Sequence, residues 1–360
     1  MAEVVFTPEE IAAFPQGPTG PQGPAGPAGS QGPPGPKGDA GPVGPTGAAG
    51  ASALGLITGV PAYPTDGKPV IQAALNTLDV NRGGDRHLGQ GRYALSTSLS
   101  SVIQGLNFCG EGMPGISDTL SRGSTQLVAA AGITALALGT PGTHQTRGYG
   151  VRRVHFIGGG TGTGIAIFDA EGCILEDLSV SDYGAGVGVL IDGGVYTPGA
   201  SVGGNAQYIT ARNLRIARCL VGLKLVGPAN GLRLDGGYFE GSANGATREG
   251  TGLLAEGGDT LRSVGSVWQG WETCVNLRKN EGHELVAPRF ENFNTALRVG
   301  GETKGFRLSG GCFNNGHTAV YVEAGAKDVL LDPGYIASDV TNPFVIEPGA
   351  EVEIRGSWST

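Results

Sequence analysis

From Gly17 to Ser52 glycine occupies every third position for twelve unbroken triplets. A Gly-X-Y chain follows a polyproline II course and winds with two others about an axis that has room only for hydrogen, so glycine must recur at each crossing. The run therefore predicts a collagen-like triple helix over residues 17–52 and, with it, a homotrimer. Proline stands at X in eight of the triplets, from Pro18 to Pro45, and at Y only at Pro34. The X prolines preset φ and lower the freedom of the unfolded chain. Lys37, Gly38 and Asp39 supply a candidate interchain ion pair within the rod. At roughly 3.1 Å per residue the rod spans on the order of 110 Å.

Ahead of it, Thr7-Pro8-Glu9-Glu10 combines an N-cap residue, a proline at the first helical position and early acidic residues. This predicts one short helix within residues 1–16. With Val4, Val5, Phe6, Ile11 and Phe14 it forms either an apolar attachment plug for a larger assembly or a disordered leader.

The formal charge of −8 argues against nucleic acid and anionic membrane as partners. No apolar run reaches the about 18 residues a span needs, so no membrane insertion is expected. The opening MAEVVFTPEE lacks the basic and apolar blocks of a signal peptide, which places assembly in a cytoplasm. Cys109, Cys173, Cys219, Cys274 and Cys312 are odd in number and lack C-x-x-C spacing. They read as buried thiols, with no metal site and no cofactor expected.

Beyond Gly148 the chain repeats with a period of about 23 residues, clearest in CILEDLSV (from Cys173), ITARNLRI (Ile209), LRLDGGYF (Leu232), LRSVGSVW (Leu261), HELVAPRF (His283), FRLSGGCF (Phe306) and VLLDPGYI (Val329). A second apolar-alternating motif tracks the first, as in GVLIDGG from Gly188 and GLKLVG from Gly222. Two strands per repeat then close one coil. Short alternating strands with glycine-rich turns and no intervening helix are the pattern of a parallel β-helix. The last position of the first motif (Val180, Ile216, Phe239, Trp268, Phe290, Phe313, Ile336) reads as an interior ladder. Two longer steps put extra residues at about 193–205 and 241–250, where they project as loops.

In 53–360, the segment 53–95 reads as a cap and first coil: TDGKPVIQAALNTL resembles the helix that closes an open first coil. LGQGRYALSTSL, LNFCGEG and STQLV resemble the opening coils of pectate-lyase-like right-handed β-helices. That superfamily includes polysaccharide lyases, glycoside hydrolases and trimeric phage tailspikes. A collagen-like stalk joined to such a domain resembles bacteriophage tail fibres and tailspikes. The resemblance implies an all-β, right-handed parallel β-helix in a homotrimer. It also implies a virion location, a tail or baseplate protein as partner for the N-terminus, and a host surface polysaccharide as ligand.

Chemistry then falls to outward side chains. The column Arg153, Glu176, Arg212, Asp235 alternates in sign on successive coils: a ladder of ion pairs, or a surface for acidic glycan. Arg233, Arg262, Glu284 and Arg307 form a second charged column. The position after the interior ladder places Glu240 and Glu291 two coils apart, about 9.6 Å. Inverting glycosidases hold their carboxylates roughly 6.5–9.5 Å apart, so the pair is a candidate acid and base. Trp271, Tyr183, Tyr196 and Tyr238 are candidates for stacking on sugar. No Ser/His/Asp spacing stands out. Adhesin, depolymerase and plain structural fibre remain the competing functions, and adhesion is favoured because the carboxylates are scattered rather than clustered.

Overall fold

The computed structural model describes residues 55–79, 82–113, 115, 123–143, 147–194, 204–241 and 248–359. The expected helix in 1–16, the collagen-like run 17–52, Tyr196 and the projecting parts of both insertions lie outside these residues.

The remainder is a parallel β-helix. Its strands form a 12-stranded sheet, an 18-stranded sheet and a small 2-stranded one. Each ladder between coils is parallel, and the register follows the sequence repeat: Glu176 pairs with Arg212, Arg212 with Asp235, Asp235 with Val264, Val264 with Val286. Stacking the coils satisfies backbone N–H and C=O groups that no single coil can pair within itself.

Most coils hold three strands rather than the expected two; in two later coils the second and third run together as Arg289–Val299 and Cys312–Val322. One coil runs Arg233–Asp235, Tyr238–Glu240 and Thr251–Glu256, and the next runs Arg262–Val264, Val267–Gln269 and Thr273–Leu277. The first motif, taken from sequence as one strand, is two strands of three residues divided by a bend. A left-handed residue makes that bend in successive coils: Asp177, Asn213, Gly236, Gly265, Ala287, Gly310. Asp and Asn adopt this conformation more readily than most side chains.

The bend restarts the inward alternation. Ile209, Ala211, Leu214 and Ile216 all turn inward and are buried. The expected interior ladder is present: Val180, Ile216, Phe239, Trp268, Phe290, Phe313 and Ile336 are each at most 2% exposed. Phe290 stacks on Phe313 with ring centroids 5.0 Å apart. All five cysteines are free, four of them buried. Burial pushes the Cys173 thiol up to about 11 and Cys219 up to about 12, so they pack as apolar groups.

The helix Lys68–Asn76 begins with Pro69 in its first turn and buries Ile71 and Leu75. Gln72 donates to the Ser100 carbonyl (2.8 Å) and accepts from the Ser100 N–H (2.9 Å). One side chain thus occupies both backbone groups of a residue in the strand Leu99–Ser101, blunting an edge open to pairing. Among the described residues no helix is long and apolar enough to cross a membrane.

Candidate functional site

Two outward faces meet along the bend between the first and second strands. On the first lies an ion-pair ladder. Glu176 lies 3.0 Å from Arg152 and 3.7 Å from Arg212, and Asp235 lies 3.8 Å from Arg212 and 2.7 Å from Arg233. The ladder begins at Arg152 rather than at the expected Arg153. Arg152 is the register partner of Glu176, whereas Arg153 occupies the left-handed bend, φ 55°. The second charged column continues the pattern, Arg262 with Glu284 at 2.8 Å and Arg307 with Asp332 at 2.6 Å. Arg212 and Asp235 therefore already hold charged partners on this face. Such exposed pairs contribute about 0.2–1 kcal/mol each.

Across the bend the structure brings together residues that sequence had named separately. Glu240, Gln269 and Glu291 follow one another in register on consecutive coils, and Tyr238, Val267 and Arg289 form the column beside them. The two carboxylates are thus two stacking steps apart, about 9.6 Å. Glu291 is ion-paired with Arg289. Burial, then the negative charges of Glu240 and Glu291, raise the Tyr238 phenol above the ordinary tyrosine value, while its hydrogen bond with Gln269 acts in the opposite direction. The phenol thus feels both carboxylates at once. Tyr238, Glu240, Gln269 and Glu291 are half-buried, with polar atoms facing outward. Gln269 stands between the two glutamates, as aligning the sequence repeats places it. Arg289 escaped sequence reading because it lies outside that column and reaches Glu291 from two residues away on the same strand.

Trp271 is not part of this surface. It is fully buried, and its indole N–H donates to the Phe239 carbonyl at 3.1 Å. Gly270, at φ 73°, bends the chain after Gln269, so the next side chain re-enters the core instead of continuing the outward alternation. Tyr183, one residue past the left-handed Asp182, is buried for the same reason.

The same face holds a buried polar group nearer the N-terminal end. His155 Nε2 lies 2.9 Å from Ser181 Oγ, which donates to Asp182 Oδ2 at 2.7 Å. Arg218 donates to both oxygens of Asp182, at 2.6 and 2.9 Å. Burial alone would raise the Asp182 carboxyl, but hydrogen bonds from Arg218 and Ser181 outweigh it and hold the group below its ordinary value. The three residue types of a serine hydrolase are therefore close in space, though no sequence spacing announces them. Their order is wrong for that chemistry: the carboxylate is bonded to the serine and the guanidinium. His155 and Ser181 are moreover fully buried.

No protein-family model matches the chain. No curated protein matches it by sequence. Among solved structures, DFA-IIIase from Arthrobacter chlorophenolicus A6 in complex with GF2 is similar with a TM-score of 0.51 at 11% identity, covering 83% of this chain and 93% of that one. ORF18 of Geobacillus virus E2 is similar at 0.48 and 12% identity; the match covers 84% of this chain but 62% of ORF18. Bacteriophage CBA120 tailspike protein 3 follows at 0.35 and 10%, covering 82% of this chain and 59% of that one. At these identities the likeness to DFA-IIIase establishes a shared fold and nothing finer.

Proposed function

We propose that this chain is the subunit of a homotrimeric phage tail fibre or tailspike that binds a host surface polysaccharide. The observation that carries the binding is the juxtaposition of Tyr238 with Glu240, Gln269 and Glu291 on an outward face whose polar groups repeat at the stacking distance of about 4.8 Å. Amide and carboxylate groups that follow one another along a line suit the repeated hydroxyls of an extended glycan, and the Tyr238 ring offers an apolar surface beside them. The unbroken Gly-X-Y run supports the trimer and a stalk, and the segment 1–16 supplies an attachment to a tail or baseplate protein.

A depolymerase is the second reading, favoured by the separation of Glu240 and Glu291, which meets the upper end of the inverting range. Against it stands the ion pair between Glu291 and Arg289: a carboxylate already holding a guanidinium must leave it before it can move a proton. Incubation with a panel of bacterial surface polysaccharides separates the two. Retention with no new reducing ends supports the adhesin; new ends support cleavage, with ultraviolet absorbance of unsaturated sugar marking a lyase. No retention of any polysaccharide contradicts both.

A further inference from the structure

At another corner of the coil, where the third strand turns into the first strand of the next coil, Tyr208 stands 64% exposed in a left-handed conformation, φ 54°. Its column continues through Gly231, Thr260, Gly282 and Gly305, all left-handed. A bulky aromatic costs roughly 1 kcal/mol or more in that region, a cost that Gly231, Gly282 and Gly305 avoid and that Thr260 shares. The exposed ring gains little burial to offset it. It lies over the backbone of the next coil, where a Cβ added at Gly231 would sit 3.2 Å from the Tyr208 ring.

At the same corner, one residue along the chain from the Tyr208 column, opens a groove of about 950 Å³ crossing several coils, with Gly227, Gly257, Gly258 and Gly301 among its lining residues. Asn230, Asp259, Glu281 and Lys304 line it on successive coils. The groove is tied to the tyrosine through the backbone: the Tyr208 N–H donates to the Asn230 carbonyl at 3.0 Å, and the Gly231 N–H to the Asp259 carbonyl at 2.9 Å. Asn230 Oδ1 accepts from the Asp259 N–H at 2.9 Å, which fixes that side chain in the groove. The groove's lysines are engaged, Lys279 with Glu302 at 3.4 Å and Lys304 with Glu281 at 3.6 Å. Among the described residues Asp259 has no cationic partner. Partial burial and the neighbouring Glu281 both raise its carboxyl above the ordinary value.

We infer that Tyr208, Asn230 and Asp259 form a second carbohydrate site, selective for neutral sugar units. A pyranose ring has an apolar C–H face and an edge of hydroxyls. The Tyr208 ring matches the first, and the Asp259 carboxylate, accepting from neighbouring hydroxyls, matches the second. A uronate would meet the Asp259 carboxylate at close range and be repelled, because Lys304 is taken up by Glu281 and Lys279 by Glu302, which leaves Asp259 without a cation to offset it. The site does not rest on the Tyr238 strip, and it serves an adhesin and a depolymerase alike.

The test is titration of the full chain with maltohexaose, cellohexaose and hexagalacturonate, followed by saturation-transfer NMR and calorimetry. A neutral hexasaccharide binds; hexagalacturonate binds at least tenfold more weakly. Tyr208→Phe keeps the affinity. Tyr208→Gly loses at least tenfold while its melting temperature stays level or rises, because glycine relieves the left-handed strain. Asp259→Asn loses several-fold. Absence of binding by both neutral hexasaccharides, preference for hexagalacturonate, or unchanged affinity in Tyr208→Gly overturns the inference. Polymer retention by the Tyr238 strip is a separate measurement, so either reading fails without the other.

Discussion

Phe239 and Trp268 stack nearly parallel on consecutive coils, ring centroids 3.9 Å apart and planes 11° from each other. Both are fully buried, so the contact joins two coils through the core as well as through their backbones. Trp268→Ala is expected to cost about 3–5 kcal/mol, the range for large aromatic truncations. Trp268→Phe is expected to cost less than half of that, because the indole N–H it removes has no hydrogen-bond partner among the described residues. Urea denaturation of the two variants checks the order.

Gly316 is required by close approach. A Cβ there would fall 1.9 Å from the Phe293 ring, which packs flat against the glycine backbone from the preceding coil. Gly316→Ala is expected to destabilise by about 1–3 kcal/mol or more through overpacking. Pairing it with Phe293→Leu is expected to recover part of the loss. A double-mutant cycle in which the two effects simply add would contradict this contact.

His283 gives the fold an acid-sensitive point. Burial lowers its imidazole to about 4 from an ordinary 6.5, and its Nδ1 accepts the Leu261 N–H at 3.0 Å. Between these values the unfolded chain binds the proton and the folded chain does not. The stabilisation is therefore complete above about pH 6.5 and declines as pH falls toward 4, by on the order of 3 kcal/mol. Melting temperatures of wild type and His283→Gln between pH 7 and 4.5 measure it: the wild type falls more steeply. Parallel slopes would contradict the assignment.

Arg212 sits between Glu176 and Asp235, at 3.7 and 3.8 Å, with its own side chain about half exposed. Replacing it with glutamine is expected to cost no more than about 1 kcal/mol, and the cost should shrink in 0.5 M salt. A loss of several kcal/mol that salt does not change would mean that the ladder holds the coils together more strongly than exposed pairs do.

Much of this architecture was legible in sequence because register and period are one property: residues one repeat apart become neighbours. That is why the interior column from Val180 to Ile336 and the pairing of Arg212 with Asp235 follow from aligning the repeats. The failures occur at left-handed residues. Asp177 and Gly270 each insert a bend that leaves the apolar spacing intact but changes which side the next residue faces, hiding a third strand in one case and burying Trp271 in the other. The corner groove was invisible because Tyr208, Asn230 and Asp259 belong to a corner of the coil outside both repeat motifs.

The central claim is that the Tyr238 strip holds the glycan. The direct measurement is retention, by wild type, Tyr238→Ala and Glu240→Gln, of whichever bacterial polysaccharide the wild type binds, with melting temperatures recorded alongside. The account predicts at least tenfold weaker retention in both variants at nearly unchanged melting temperature, since both side chains are half-buried on an outward face. Retention equal to wild type in both, with the fold intact, would contradict it.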